Sequence, residues 1–99
     1  MDKKLHPVHP GEVLEEEFLK PLNVSRYALA KALHVSATRI GEIVAGSREI
    51  TAETALLLSK CFGTSAEFWL NLQAQYNLEI AEQKLHNKIE AVQRLRAAA

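Results

Sequence analysis

Residues 25–46 read SRYALAKALHVSATRIGEIVAG, and this stretch decides the fold. Ser25 and Ser36 each stand just ahead of an apolar pattern with helical spacing, where a serine hydroxyl accepts from an otherwise unpaired N–H of the first turn. The stripe behind Ser25 is Leu29, Ala30 and Leu33; the stripe behind Ser36 is Ile40, Ile43 and Val44. Only Leu33-His34-Val35 separates the two segments, and Ala45-Gly46 closes the second with a glycine C-cap. Two short capped helices on a tight turn, with the small Ala30 where they cross, make the layout of a helix-turn-helix. A helical hairpin inside a bundle needs similar apolar spacing and is the competing structural reading. His34 stands at the turn position that glycine usually fills, and histidine tolerates positive φ better than a branched residue does.

If the motif is real, its second helix presents Ala37, Thr38, Arg39 and Glu42 to a DNA major groove. Thr38 can donate or accept at a base edge or touch a thymine methyl, Ala37 can touch that methyl, and Glu42 can accept from a cytosine amino group. For Arg39 two roles stay open, pairing with guanine or gripping phosphate. Ser25, Arg26, Ser36 and Arg48, with the free N–H groups at both helix starts, suit phosphate contacts, although Arg26 and Arg48 read equally well as solvated surface residues. Gly41 lies inside this helix at a cost of about 1 kcal/mol relative to alanine. Close approach of DNA to the backbone is one reason for it; simple tolerance is the other.

Working outward, the chain reads as all-α, one domain over 1–99 with five helices. His9-Pro10-Gly11 introduces a helix over about 12–20, with Leu14 and Phe18 on one face and Pro21 expected to end or kink it. Thr51 caps a helix over 52–62 that Gly63 stops. Thr64 or Ser65 caps the last one, Thr64 with Glu67 matching a capping box. Nothing interrupts this C-terminal helix afterwards, so the spacing predicts an extended element over about 65–96. Leu85, Ile89, Val92 and Leu95 form a stripe on it that needs another surface, either a second copy of the chain, a partner protein, or the body of the same chain.

The whole chain carries 12 basic and 12 acidic residues, so its overall field gives no strong pull toward nucleic acid or anionic lipid. The charges are segregated, however: residues 20–48 hold Lys20, Arg26, Lys31, Arg39 and Arg48 against Glu42 alone, between two acidic stretches. That basic middle coincides with the helix-turn-helix. The single cysteine, Cys61, cannot form an intramolecular disulfide, and residues 1–10 lack the apolar region of a signal peptide. No run approaches the roughly 18 apolar residues of a membrane span, so a cytoplasmic protein with no membrane association is expected.

Three segments together carry a family resemblance: His9-Pro10-Gly11-Glu12, Ala28 to Ser36 (ALAKALHVS), and Glu67 to Gln73 (EFWLNLQ). Over about residues 5–80 the chain resembles HigA-type antitoxins, also called virulence-associated protein I, within the phage-repressor-like helix-turn-helix superfamily. The resemblance implies a λ-repressor-like domain that binds double-stranded operator DNA as a homodimer, represses its own operon and neutralises a cognate mRNA-cleaving toxin. His34 departs from the turn glycine and Ala66 stands where the family often has proline. Within the last segment, Phe68, Trp69 and Leu72 read first as core anchors, with a partner site as the alternative.

Catalysis is not expected. His6, His9 and Cys61 lack an established metal-ligand spacing, no glycine-rich loop can cradle phosphate, and Glu15 to Glu17 are consecutive and so point to different sides of a helix. Neither a cofactor nor a metal is implied. The rivals to a DNA-binding antitoxin are a solitary repressor of the same fold, without a toxin, and a helical protein–protein adaptor that has lost DNA binding.

Overall fold

Every regular element in the computed structural model, which describes residues 6–96, is helical. The ends of the expected domain, 1–5 and 97–99, lie outside the described residues. Helix α1 spans 10–22 and is composite: an α-helical turn Pro10–Val13, a π-helical stretch Leu14–Leu19 and a final turn Lys20–Leu22. Then follow α2 (Arg26–Leu33), α3 (Ala37–Ala45), α4 (Ala52–Phe62), α5 (Ala66–Lys84) and the short α6 (His86–Glu90).

The first helix departs from the expected 12–20. It starts at Pro10, whose missing N–H costs nothing in a first turn, and it runs through Pro21 to end at Asn23 with φ 57°. The π-helical stretch, marked by the Lys20 N–H bonding to the Glu15 carbonyl, changes which residues share a face. Leu14 and Leu19, five apart, both enter the core at 0 % and 1 % exposure, while Phe18 is only partly buried. The four-residue spacing from Leu14 to Phe18 therefore named only part of the buried face.

Three helices end in the same way. The N–H groups of Val24, Val35 and Ser47 reach back to the carbonyls of Leu19, Ala30 and Glu42, and the residue before each, Asn23, His34 or Gly46, is left-handed. This closure satisfies carbonyls that a helix end otherwise leaves open. At the opposite ends, Ser25, Ser36 and Ser65 accept from the N–H groups of Ala28, Arg39 and Phe68. Thr51 occupies the cap position of α4 without making a side-chain bond. Ser65, not Thr64, caps α5, because the Thr64 hydroxyl instead accepts from Trp69 Nε1 at 2.7 Å.

The core joins all five larger helices. Leu29 and Leu33 of α2, Ile40 and Ile43 of α3, Ala55 and Leu58 of α4, and Trp69 of α5 close on the two leucines of α1. Phe18 bridges the rings of Phe62, Phe68 and Trp69, fixing α1 to the α4–α5 corner. Trp69 is wholly buried and Leu72 packs against the core from one side, as their anchor role requires; Phe68, at 37 % exposure, edges the cluster.

The C-terminal helix is shorter than expected. It ends at Lys84, and Leu85, with φ −106° and ψ 15°, breaks the path before α6; residues 92–96 are not helical. Six helices thus stand among the described residues in place of five. Every described residue from 82 onward is exposed, so no packing within the chain holds the helix on one axis past Leu85, and α6 keeps its short turn on intrinsic propensity alone. This arm makes the chain elongated, 54 × 33 × 23 Å, with a radius of gyration of 16.9 Å. A compact domain of this length has about 13 Å.

Candidate nucleic-acid interface

Helix α3 is clamped from behind and open in front. Behind, Ile40 and Ile43 are fully buried. The start of α1 packs against its C-terminal half so closely that a Cβ on Gly11 would fall within the Ile43 carbonyl. The His9 ring caps α1 by accepting from the Gly11 N–H at 2.8 Å, lies against Gly46, and meets Tyr76 of α5 edge-on. Burial pushes its pKa down from the ordinary 6.5, with Glu49 acting in the opposite direction. Gln73, itself buried, accepts from the Ile50 N–H at 2.7 Å and so ties the segment after α3 to α5.

In front, Ala37 and Thr38 stand exposed in the first turn, and Gly41, Glu42 and Ala45 continue that face three, four and seven residues after Thr38. A Cβ placed on Gly41 would meet nothing within 4 Å. The fold therefore does not itself require glycine there.

The residues expected to form the site are not all placed alike. Ala37 and Thr38 lie free on the open face. Glu42 is there too, but its carboxylate accepts from Arg48 Nε at 2.8 Å, so two residues assigned separately to base and phosphate form one exposed ion pair. Arg39 is placed differently from its neighbours. Its guanidinium turns toward α4, where Nη2 donates to Thr54 Oγ1 at 2.7 Å and stands 3.8 Å from Glu53, leaving the side chain 22 % exposed. It is not an open base-edge donor in this structure, because a buried hydroxyl and a carboxylate compete for it.

Ser25 and Ser36 cap α2 and α3, leaving the first N–H groups of each helix facing outward beside them. Arg26 faces Glu15 at 3.5 Å across the groove between α1 and α2. Leu85, Ile89, Val92 and Leu95 are 43 %, 49 %, 74 % and 90 % exposed, so none of the described residues covers this stripe. Among the described residues no group of three His, Cys, Asp or Glu side chains is arranged to hold a metal ion, and no helix is long and apolar enough to cross a membrane.

Sequence reasoning missed four residues that set this geometry: His9, Gly11, Thr54 and Gln73. Gly11 carried a signal, since glycine in the first turn of a helix is costly and implies a close neighbour. His9 stands at a cap position, but its contact with Tyr76, like the partners of Thr54 and Gln73, lies 15 to 67 residues away in the chain and leaves no local pattern.

A clamped, N-capped helix presenting an open face of small and polar residues, joined by a left-handed turn to a second capped helix, defines a helix-turn-helix domain. The comparisons agree. The family model described as Helix-turn-helix matches residues 16–69. Virulence-associated protein I of Dichelobacter nodosus is 59 % identical over 76 residues, 77 % of this chain and 70 % of that protein. The antitoxin HigA of Pseudomonas aeruginosa, solved with the higBA promoter, superposes with a TM-score of 0.88 at 42 % identity, covering 92 % of this chain and all of that one. Antitoxin GraA in complex with its operator gives a TM-score of 0.87 at 43 % identity, over 98 % of this chain and 99 % of that one. The chain belongs to the helix-turn-helix family of HigA and virulence-associated protein I.

Proposed function

We propose that this chain is a HigA-type antitoxin that binds double-stranded operator DNA as a homodimer and represses its own operon. Helix α3 enters the major groove with Thr38 and Ala37 at the base edges and Glu42 beside them. Ser25, Arg26, Ser36 and Arg48 take the flanking phosphates. The observation that carries this reading is the exposed Ala37–Thr38 turn on a helix whose other face, Ile40 and Ile43, is wholly buried. A chain of net charge zero gains little from nonspecific attraction, so affinity rests on two copies engaging two half-sites about one helical turn, roughly 34–36 Å, apart. Leu85, Ile89, Val92 and Leu95 supply the surface through which the copies pair.

The second activity is neutralisation of a cognate mRNA-cleaving toxin, supported by the likeness to proteins named as antitoxins. One experiment tests both. The chain is co-expressed with the product of the adjacent gene, co-purified, and titrated onto its own promoter fragment. Thr38→Ala is expected to weaken the shift while leaving the thermal midpoint in place; a variant that binds like the wild type defeats the groove assignment. An adjacent product that neither co-purifies nor inhibits growth removes the toxin and leaves a solitary repressor.

A further inference from the structure

We propose that Arg39 is a positioning residue, setting the rotation of α3 about its own axis by hydrogen-bonding Thr54 of α4. The inference rests on the operator-reading function proposed above and assigns a device within it. Helix α3 is anchored in the core by Ile40 and Ile43, both at 0 % exposure. Their packing fixes which face of the helix points inward but leaves small rotations about its axis to a directional contact. A hydrogen bond is directional, and that between Arg39 Nη2 and Thr54 Oγ1, at 2.7 Å, joins α3 to α4 through a buried hydroxyl.

Both partners are placed for this task. Thr54 is 2 % exposed, so its hydroxyl depends on a protein partner, and loss of Arg39 strands a buried acceptor. Arg39 keeps 22 % of its side chain exposed although it lies on the flank of the helix that would face DNA. Glu53, on the exposed side at 3.8 Å, draws the guanidinium the same way. Thr38 immediately precedes Arg39, so any rotation released at Arg39 re-aims the side chain at the centre of the open face. A recognition group must be held within about 0.5 Å and 10–20° of its working geometry, which makes a small release costly. Farther along, Gly11 and His9 of α1 hold the C-terminal half, so the Arg39–Thr54 bond secures the half that carries Ala37 and Thr38.

The test titrates the full-length chain onto its own promoter fragment with Thr54→Val, Thr54→Ser, Arg39→Ala and the pair Arg39→Ala with Thr54→Val. Thermal melting checks each variant for folding. The expected result is a loss of about tenfold for Thr54→Val and for Arg39→Ala, with the pair no worse than Arg39→Ala alone and Thr54→Ser close to wild type. Base-pair substitutions across the site then show discrimination reduced at several positions together. Wild-type binding by Thr54→Val beside a loss in Arg39→Ala confined to one base pair overturns the proposal, because Arg39 then reads that base itself. Where Thr54→Val fails to fold, Arg39→Ala decides alone: a loss spread over the site supports positioning and a single-base loss refutes it. A wild-type chain that does not shift the fragment refutes instead the operator-reading function on which the inference stands.

Discussion

The imidazole of His9 meets the ring of Tyr76 edge-on, with centroids 4.8 Å apart and planes at 74°, while its Nδ1 accepts the Gly11 N–H. One side chain thus joins the start of α1, the end of α3 and the middle of α5. The acceptor role of Nδ1 requires the neutral ring, and burial holds the pKa below the ordinary 6.5. The unfolded chain therefore binds the proton more readily than the folded one, so the stabilisation is fully present above pH 6.5 and is lost as pH falls through the lowered value. Melting curves from pH 8 down to pH 5 should show the wild type losing stability on acidification, and His9→Asn, less stable throughout, should lose less of it. Parallel curves for the two proteins would place the pH dependence elsewhere.

Gly11 has no room for a side chain. An added methyl would lie within the Ile43 carbonyl, a backbone atom that cannot rotate away. Gly11→Ala should push α1 off α3 and cost at least about 2–3 kcal/mol, the scale of overpacking against an unyielding neighbour. Urea unfolding measures it; a variant of wild-type stability would show that α1 is free to shift.

Gly41 presents the reverse case. A methyl there meets nothing within 4 Å, and alanine favours a helix interior by about 1 kcal/mol. Gly41→Ala should raise the melting temperature by a few degrees. It should also weaken promoter binding, since the new methyl lies on the face of Thr38. A variant that is more stable and binds as before would show the glycine to be merely tolerated.

The apolar arm gives a prediction about assembly. Ile89 and Val92 are 49 % and 74 % exposed and lie three residues apart beyond the body of the fold. Ile89→Glu with Val92→Glu should convert a dimer to a monomer in light scattering, with little change in helix content. A double variant that stays dimeric would move the interface to another surface.

Much of the fold was legible because its signals are local. Ser25, Ser36 and Gly46 act on N–H and carbonyl groups within five residues of themselves, so the limits of α2 and α3 follow from sequence alone. His34 was readable in the same way: a short turn between two capped helices requires a left-handed residue, and its φ is 60°. The helix runs past Pro21 because a π-helical stretch precedes the proline and carries the register through it, a change of pattern that four-residue spacing does not encode. The break at Leu85 was not legible, because the apolar periodicity continues across it and does not report a local change of backbone angle.

The sequence by itself determined two capped helices, their turn and the exposure of Ala37 and Thr38, since caps, glycine geometry and apolar stripes operate over one or two helical turns. Only the tertiary structure decided where Arg39 points, that Gly11 must be glycine, and that His9, Gln73 and Thr54 hold the reading helix in place. Those outcomes depend on atoms brought together from distant parts of the chain, and hydrogen bonding and close packing act only at contact distance.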